Sequence, residues 1–145
     1  MQQPVKAWIV QQRVRFNEVD AAGIVFYPRF FDYFHMAFED FFGAATGVPY
    51  PVWIQERRVG WPTVHVECDY RAPLRYGDAF DVAVSFPKVG RSSFVTRYEV
   101  SSGGRLRCTA EITAVTTDLE RMESLDIPPV VREALAHPPL RGSGR

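Results

Sequence analysis

A chain of 145 residues with 17 basic and 17 acidic side chains carries no formal net charge, which argues against a nucleic-acid footprint or a charged interaction tail. Its 46% hydrophobic and 23% charged content is that of one globular domain able to bury a core without disulfides or metal. No apolar run reaches membrane-spanning length and Met1–Lys6 lacks a signal-peptide core, so the cytoplasm is the expected location and no membrane partner is expected.

In chain order, Trp8–Phe16 alternates apolar and polar side chains and predicts a strand. Asn17–Gly23 reads as a loop. From about Pro28 to Ala45 the spacing predicts a long helix: Phe30, Tyr33, Phe34, Ala37, Phe38, Phe41 and Phe42 share one side. Arg29, Asp32, His35, Glu39 and Asp40 gather on the other. Pro28 suits the first helical turn, where its missing N–H costs nothing, and Gly43 and Gly47 are stop signals. The apolar arc covers roughly half the circumference, as suits a helix with a sheet curled around it.

Val48–Trp61 reads as an irregular connection carrying Tyr50, Trp53 and Trp61, three aromatics expected to pack a loop. Four strand-like runs follow, about Thr63–Arg71, Ala79–Val89, Ser93–Ser101 and Arg105–Asp118, separated by Pro- and Gly-containing turns. Pro128–Ala136 reads as a short helix, and His137–Arg145 as a disordered tail rich in Pro, Gly, Ser and Arg. Cys68 and Cys108 fall in strands and read as two small buried hydrophobes. With no Cys/His cluster at ligand spacing, no metal site is expected. Strand, helix, four strands, helix is an α+β order with an antiparallel sheet and a single domain over residues 1–136.

The chemistry-bearing segment is Asp20-Ala21-Ala22-Gly23-Ile24-Val25-Phe26-Tyr27-Pro28. A carboxylate precedes a helix start. Gly23 opens backbone conformations closed to other residues and lets a ligand approach the main chain. The helix N-terminus offers unpaired N–H groups and partial positive charge. Together these resemble an oxyanion site beside a base or nucleophile. Pro28 has no N–H, so the donor is Tyr27, a residue just before it, or Arg29. The plainer alternative is that Asp20 only closes a turn.

The pattern Asp20-x-x-Gly23-Ile24-Val25-x-Tyr27-Pro28 resembles the signature of the 4-hydroxybenzoyl-CoA thioesterase family. The likeness runs from about Trp8 to about Ala136 and includes Gly90-Arg91-Ser92-Ser93-Phe94-Val95, which is similar to that family's basic turn and following strand. The resemblance implies a hotdog fold, an antiparallel five-stranded sheet wrapped around a long central helix. It implies an acyl-CoA thioesterase in which Asp20 is nucleophile or general base and the Tyr27 N–H polarises the carbonyl. The Tyr27-Pro28 pair is closer to the aryl-CoA branch, which favours an aromatic, 4-hydroxybenzoyl-like acid. No cofactor is implied, because CoA is part of the substrate. A homo-oligomer, dimer or tetramer, is expected, since sheet edges need cover.

Gly23, Arg91 and Lys88 are the expected substrate-binding residues, the two cations through CoA phosphates. A second hotdog class uses a glutamate in the central helix, which makes Glu39 the competing carboxylate. His35 and His65 read as surface or subunit-interface residues, and Arg57 and Arg58 as surface charges. The rival functions are a non-catalytic acyl-CoA-binding module, a thioesterase for aliphatic acyl groups, and a dehydratase. The last needs a catalytic His that the Asp20–Tyr27 segment lacks.

Overall fold

Alternation lays down Trp8–Arg13 as the first strand, β1, with Trp8 buried and Ile9 exposed. In the computed structural model, which describes residues 7–139, this strand ends at Arg13 rather than at Phe16. The Val14 N–H leaves the ladder to donate to Asp78 O (2.9 Å), and Phe16–Glu18 close a 3-10 turn. That turn is held from both ends: Arg15 N–H donates to Glu18 Oε1 (2.7 Å) and Glu18 N–H to Arg15 O (3.0 Å).

The long helix, α1, spans Arg29–Thr46 and buries the seven apolar residues expected from its period. The strands that follow are β3 (Thr63–Tyr70), β4 (Ala79–Val89), β5 (Ser93–Ser102) and β6 (Arg105–Val115). With β1 they form one antiparallel five-stranded sheet in the order β1-β4-β5-β6-β3. Its inner face packs on α1 through aromatic pairs in matching order. Tyr33 meets Phe80 at the start of β4 (ring centroids 4.7 Å), and Phe41 meets Phe86 towards its end (4.8 Å). The helix N-terminus therefore lies over one end of the sheet and its C-terminus over the other. This is the hotdog arrangement, and Phe41 and Phe42 of its helix are wholly buried.

The connection after α1 is more ordered than its composition suggests. It holds a short helix α2 (Tyr50–Gln55) and a strand β2 (Val59–Gly60). The expected strand from Arg105 to Asp118 breaks at Thr116, whose buried hydroxyl accepts the Trp61 indole N–H at 3.0 Å. Beyond the break, β7 (Thr117–Asp118) joins β2 and β8 (Glu123–Ser124) in a small second sheet. The absence of a side chain at Gly60 is what lets Leu119 pack there: an added Cβ would meet Leu119 Cδ2 at 2.9 Å. The last helix, α3 (Pro129–Ala136), packs on α1 and β4. Of the expected disordered tail, residues 140–145 lie outside the described residues.

Cys108 is buried as expected, whereas Cys68, on the open edge strand, is only half-buried; their Sγ atoms lie 3.6 Å apart. Burial, with Cys68 alongside, pushes the Cys108 thiol up. Both faces of the edge strand β3 are largely open, with Val64, Val66 and Tyr70 exposed. No helix among the described residues is long and apolar enough to cross a membrane.

Candidate active site at the start of the central helix

The loop from Asp20 to Ile24 closes on itself. Asp20 N–H donates to Ile24 O (2.9 Å), Gly23 N–H to Asp20 O (3.0 Å), and Ala22 N–H to Asp20 Oδ1 (2.8 Å). The turn-closing role and the chemical one are thus compatible. One carboxylate oxygen is fixed by Ala22, while the side chain is exposed and its other oxygen has no hydrogen-bond partner among the described residues. Gly23 sits at φ +79°, with nothing within 4 Å of an added Cβ, so conformation rather than space demands glycine here.

The loop is strapped to the rest of the molecule on both sides. Val25 N–H donates to Leu74 O (2.9 Å) and Tyr76 N–H to Gly23 O (3.1 Å), tying it to the β3–β4 connection. On the helix side, Glu18 Oε1 accepts the hydroxyl of buried Tyr33 at 2.9 Å. Burial, with Glu18 beside it, pushes the Tyr33 phenol up, so it stays a donor.

The main-chain donors at the helix start can be counted. Val25 is bonded as above, and Phe26 N–H donates to Glu18 O (3.0 Å). Arg29 N–H donates to Phe26 O (2.8 Å), Phe30 N–H to Tyr27 O (3.4 Å), and Phe31 N–H to Pro28 O (3.1 Å). Pro28 has none. From Val25 to Phe31, the Tyr27 N–H alone has no partner among the described residues. It shares its peptide with Phe26 O, which is already accepting a bond, and that polarises the N–H outward. Tyr70 on β3 donates its hydroxyl to Tyr27 O at 3.0 Å, holding the segment to the sheet edge. Ile24, Phe30, Tyr70 and Pro73 line a cavity of about 310 Å³ beside Tyr27.

The other sequence-derived candidates lie elsewhere. Arg91, in the β4–β5 turn, is exposed and pairs with Asp126 (Nε to Oδ1, 2.8 Å); Lys88 is exposed near the same end of β4. Ala79 begins β4 near the Asp20 loop, so Arg91 stands at the far end of the sheet, about 33 Å along the strand. Glu39 is ten residues into α1, about 15 Å along the axis from its start, and lies 3.5 Å from His35 Nε2. His65 is exposed, 3.2 Å from Glu67. Among the described residues no three His, Cys, Asp or Glu side chains cluster so as to hold a metal ion.

Sequence reasoning missed Glu18, Tyr33 as its partner, and Tyr70. Each acts through a contact spanning 15 or 43 positions, which no local pattern announces.

Comparison with known proteins converges on one group. The profile of the thioesterase-like superfamily matches residues 14–135. A 1,4-dihydroxy-2-naphthoyl-CoA hydrolase of Prochlorococcus marinus (strain NATL1A) is 30% identical over 138 residues, covering 90% of this chain and 85% of that protein. Among solved structures, a gentisyl-coenzyme A thioesterase superposes with a TM-score of 0.78 at 28% identity, covering 86% of this chain and 98% of that one. A substitution variant of 4-hydroxybenzoyl-CoA thioesterase, complexed with 4-hydroxybenzoyl-CoA, gives 0.79 at 26% identity, covering 89% and 99%.

Proposed function

The chain belongs to the thioesterase-like superfamily and is a thioester hydrolase; from that premise we propose that it hydrolyses an aromatic acyl-CoA to the free acid and CoA. The observation that carries the reading is the unpartnered Tyr27 N–H at the helix N-terminus, next to a loop that fixes one Asp20 oxygen and leaves the other open. The named substrates of its relatives, dihydroxynaphthoyl-, gentisyl- and 4-hydroxybenzoyl-CoA, support an aromatic acyl group.

The thioester carbonyl oxygen accepts the Tyr27 N–H, which stabilises the negative charge that develops on it. Asp20 then acts in one of two ways. As a base it takes a proton from water, hydroxide adds to the carbonyl carbon, and CoA thiolate leaves and is protonated. As a nucleophile its free oxygen attacks the carbon, CoA thiolate leaves, and water hydrolyses the resulting anhydride. Gly23 keeps the loop backbone open to the substrate. CoA enters and leaves as part of the substrate, and neither route uses a further cofactor.

Arg91 and Lys88 fit this scheme as contacts for CoA phosphates only in an oligomer. A second copy pairing its β3 antiparallel to this one extends the sheet and covers the exposed edge. Strand direction reverses across that joint, so the Arg91 end of one copy meets the Asp20 end of the other. A homodimer is therefore the proposed minimal unit, with a tetramer as its further assembly.

The direct test is a panel of acyl-CoA thioesters with thiol detection, including benzoyl-, hydroxybenzoyl-, naphthoyl- and medium-chain aliphatic CoA. Release fastest from aryl thioesters is expected. Binding without release would support an acyl-CoA-binding module instead, and faster aliphatic release would overturn the aryl assignment.

A further inference from the structure

The sequence has two cysteines, and the fold sets them side by side. Cys68 stands on β3 opposite Ala110, and Cys108 stands on β6 opposite Tyr70, so the two are diagonal partners across one antiparallel pair. Their Sγ atoms are 3.6 Å apart. Cys108 is wholly buried, whereas half-buried Cys68 is the thiol that solvent reaches. Among the described residues no third His, Cys, Asp or Glu joins them to hold a metal ion. The chemistry open to the pair is with each other.

The pair is connected to the Tyr27 segment. Tyr70 follows Cys68 by two residues on the same face of β3, and its hydroxyl lies within hydrogen-bonding reach of the Cys68 thiol. That hydroxyl also donates to Tyr27 O at 3.0 Å, and the Tyr70 ring rests on Phe30 (centroids 5.5 Å). Tyr27, Phe30 and Tyr70 line one cavity. Diagonal partners in an antiparallel pair stand about 7–8 Å apart at Cα. A relaxed disulfide spans about 4.4–6.8 Å, with its sulfurs about 2 Å apart. Closing the bond therefore draws β3 across towards β6. β3 is the last strand of the sheet, and its register is already irregular between Thr63 and His65, so it is the strand that yields. Tyr70 moves with it, and its hold on Tyr27 loosens.

We propose that Cys68 and Cys108 are an oxidation site: a hydroperoxide joins them in a disulfide that loosens the Tyr70–Tyr27 clasp and slows thioester hydrolysis. The Cys68 thiolate attacks one peroxide oxygen and breaks the O–O bond, giving the Cys68 sulfenic acid and an alcohol, or water from hydrogen peroxide. The Cys108 sulfur then attacks the Cys68 sulfur, and the sulfenic oxygen leaves as water with the Cys108 proton. The two thiols give up two hydrogens and two electrons, which the peroxide takes up. A bond that strains β3 is readily reduced, so a thiol reductant reverses the step. The effect on hydrolysis rests on the functional reading above; the bond itself does not.

The test treats the full chain with hydrogen peroxide and then with dithiothreitol. After peroxide, peptide mapping should join Cys68 to Cys108 within one chain. On the best thioester of the panel, followed by release of the free acid, kcat/KM should fall by at least about 10-fold, since a misplacement of about 1 Å at a reacting centre costs up to about 100-fold. Dithiothreitol should restore it. Amide exchange of Arg29–Phe31, whose N–H groups bond back to Phe26, Tyr27 and Pro28, should quicken in the oxidised chain. Cys68→Ser keeps a hydroxyl beside Tyr70 and should start within about 2-fold of native and hold its activity in peroxide; Cys108→Ala is the second variant should the first not fold. Absence of the cross-link overturns the inference. So does a cross-linked chain with native kcat/KM, or an equal loss in the variant. A reduced chain that turns over no thioester overturns the functional reading instead, and the cross-link together with the exchange of Arg29–Phe31 then decides the inference.

Discussion

The contact between Tyr33 and Glu18 makes the strongest stability prediction. The Tyr33 hydroxyl, buried under α1, donates to Glu18 Oε1 at 2.9 Å, and Glu18 also takes the Arg15 N–H at 2.7 Å. Tyr33→Phe keeps the ring against Phe80 and removes only this donor. A hydrogen bond to a charged group contributes about 1.5–3 kcal/mol net. At about 2–4 °C per kcal/mol for a domain near this size, Tm should fall by about 3–12 °C. Because the same contact straps the Asp20 loop to the helix, kcat should fall while KM changes little. Urea unfolding of Tyr33→Phe, Glu18→Ala and the double variant gives the coupling directly, and at least about 1 kcal/mol is expected. Additive losses within about 0.5 kcal/mol would mean that the two side chains do not support each other, and the strap would be refuted.

Three further outcomes are expected. Gly23→Ala should destabilise the chain by about 1–2 kcal/mol because φ +79° is disfavoured for an L-residue, and Gly23→Asn should recover part of that loss; equal losses would point to crowding instead. Arg91→Ala should raise KM for acyl-CoA by about 10-fold or more, with kcat held and stability changed by under about 1 kcal/mol, since its pair with Asp126 is exposed; an unchanged KM would remove Arg91 from the CoA site. Light scattering at micromolar concentration should give a dimer or tetramer, and a 16.5 kDa monomer alone would contradict the proposed pairing of β3 edges.

The parts of the fold legible in the sequence are those governed by local periodicity. The seven buried residues of α1 follow from a period of 3.6, and β4 spans the same Ala79–Val89 that its alternation predicts. Where distant contacts override the pattern, the boundaries move. Phe16 continues the alternation of β1 yet is 76% exposed, because Val14 is drawn to Asp78 and Glu18 folds back on Arg15. The strand through Thr116 breaks on an indole 55 positions away. The site divides in the same way. Asp20, Gly23 and Tyr27 of the proposed site stand in one short motif, so the sequence alone sets them side by side. The separation of Arg91 from Asp20 follows from sheet topology, and the Tyr70 clasp appears only once strands and helix are packed together.

The central claim is that Asp20 is the reacting carboxylate, and Asp20→Asn tests it most directly. Asparagine keeps the side chain's shape, and its amide oxygen still accepts the Ala22 N–H, so the loop should hold its conformation. Steady-state thioester hydrolysis by Asp20→Asn and Glu39→Gln should be compared under the same conditions. Asp20→Asn should bind thioester nearly as well as the native chain and lose about 10²–10⁴ in kcat, the contribution of a positioned acid–base group, while Glu39→Gln loses far less. Near-native kcat in Asp20→Asn, with activity abolished in Glu39→Gln, would contradict the assignment and move the chemistry to the helix glutamate.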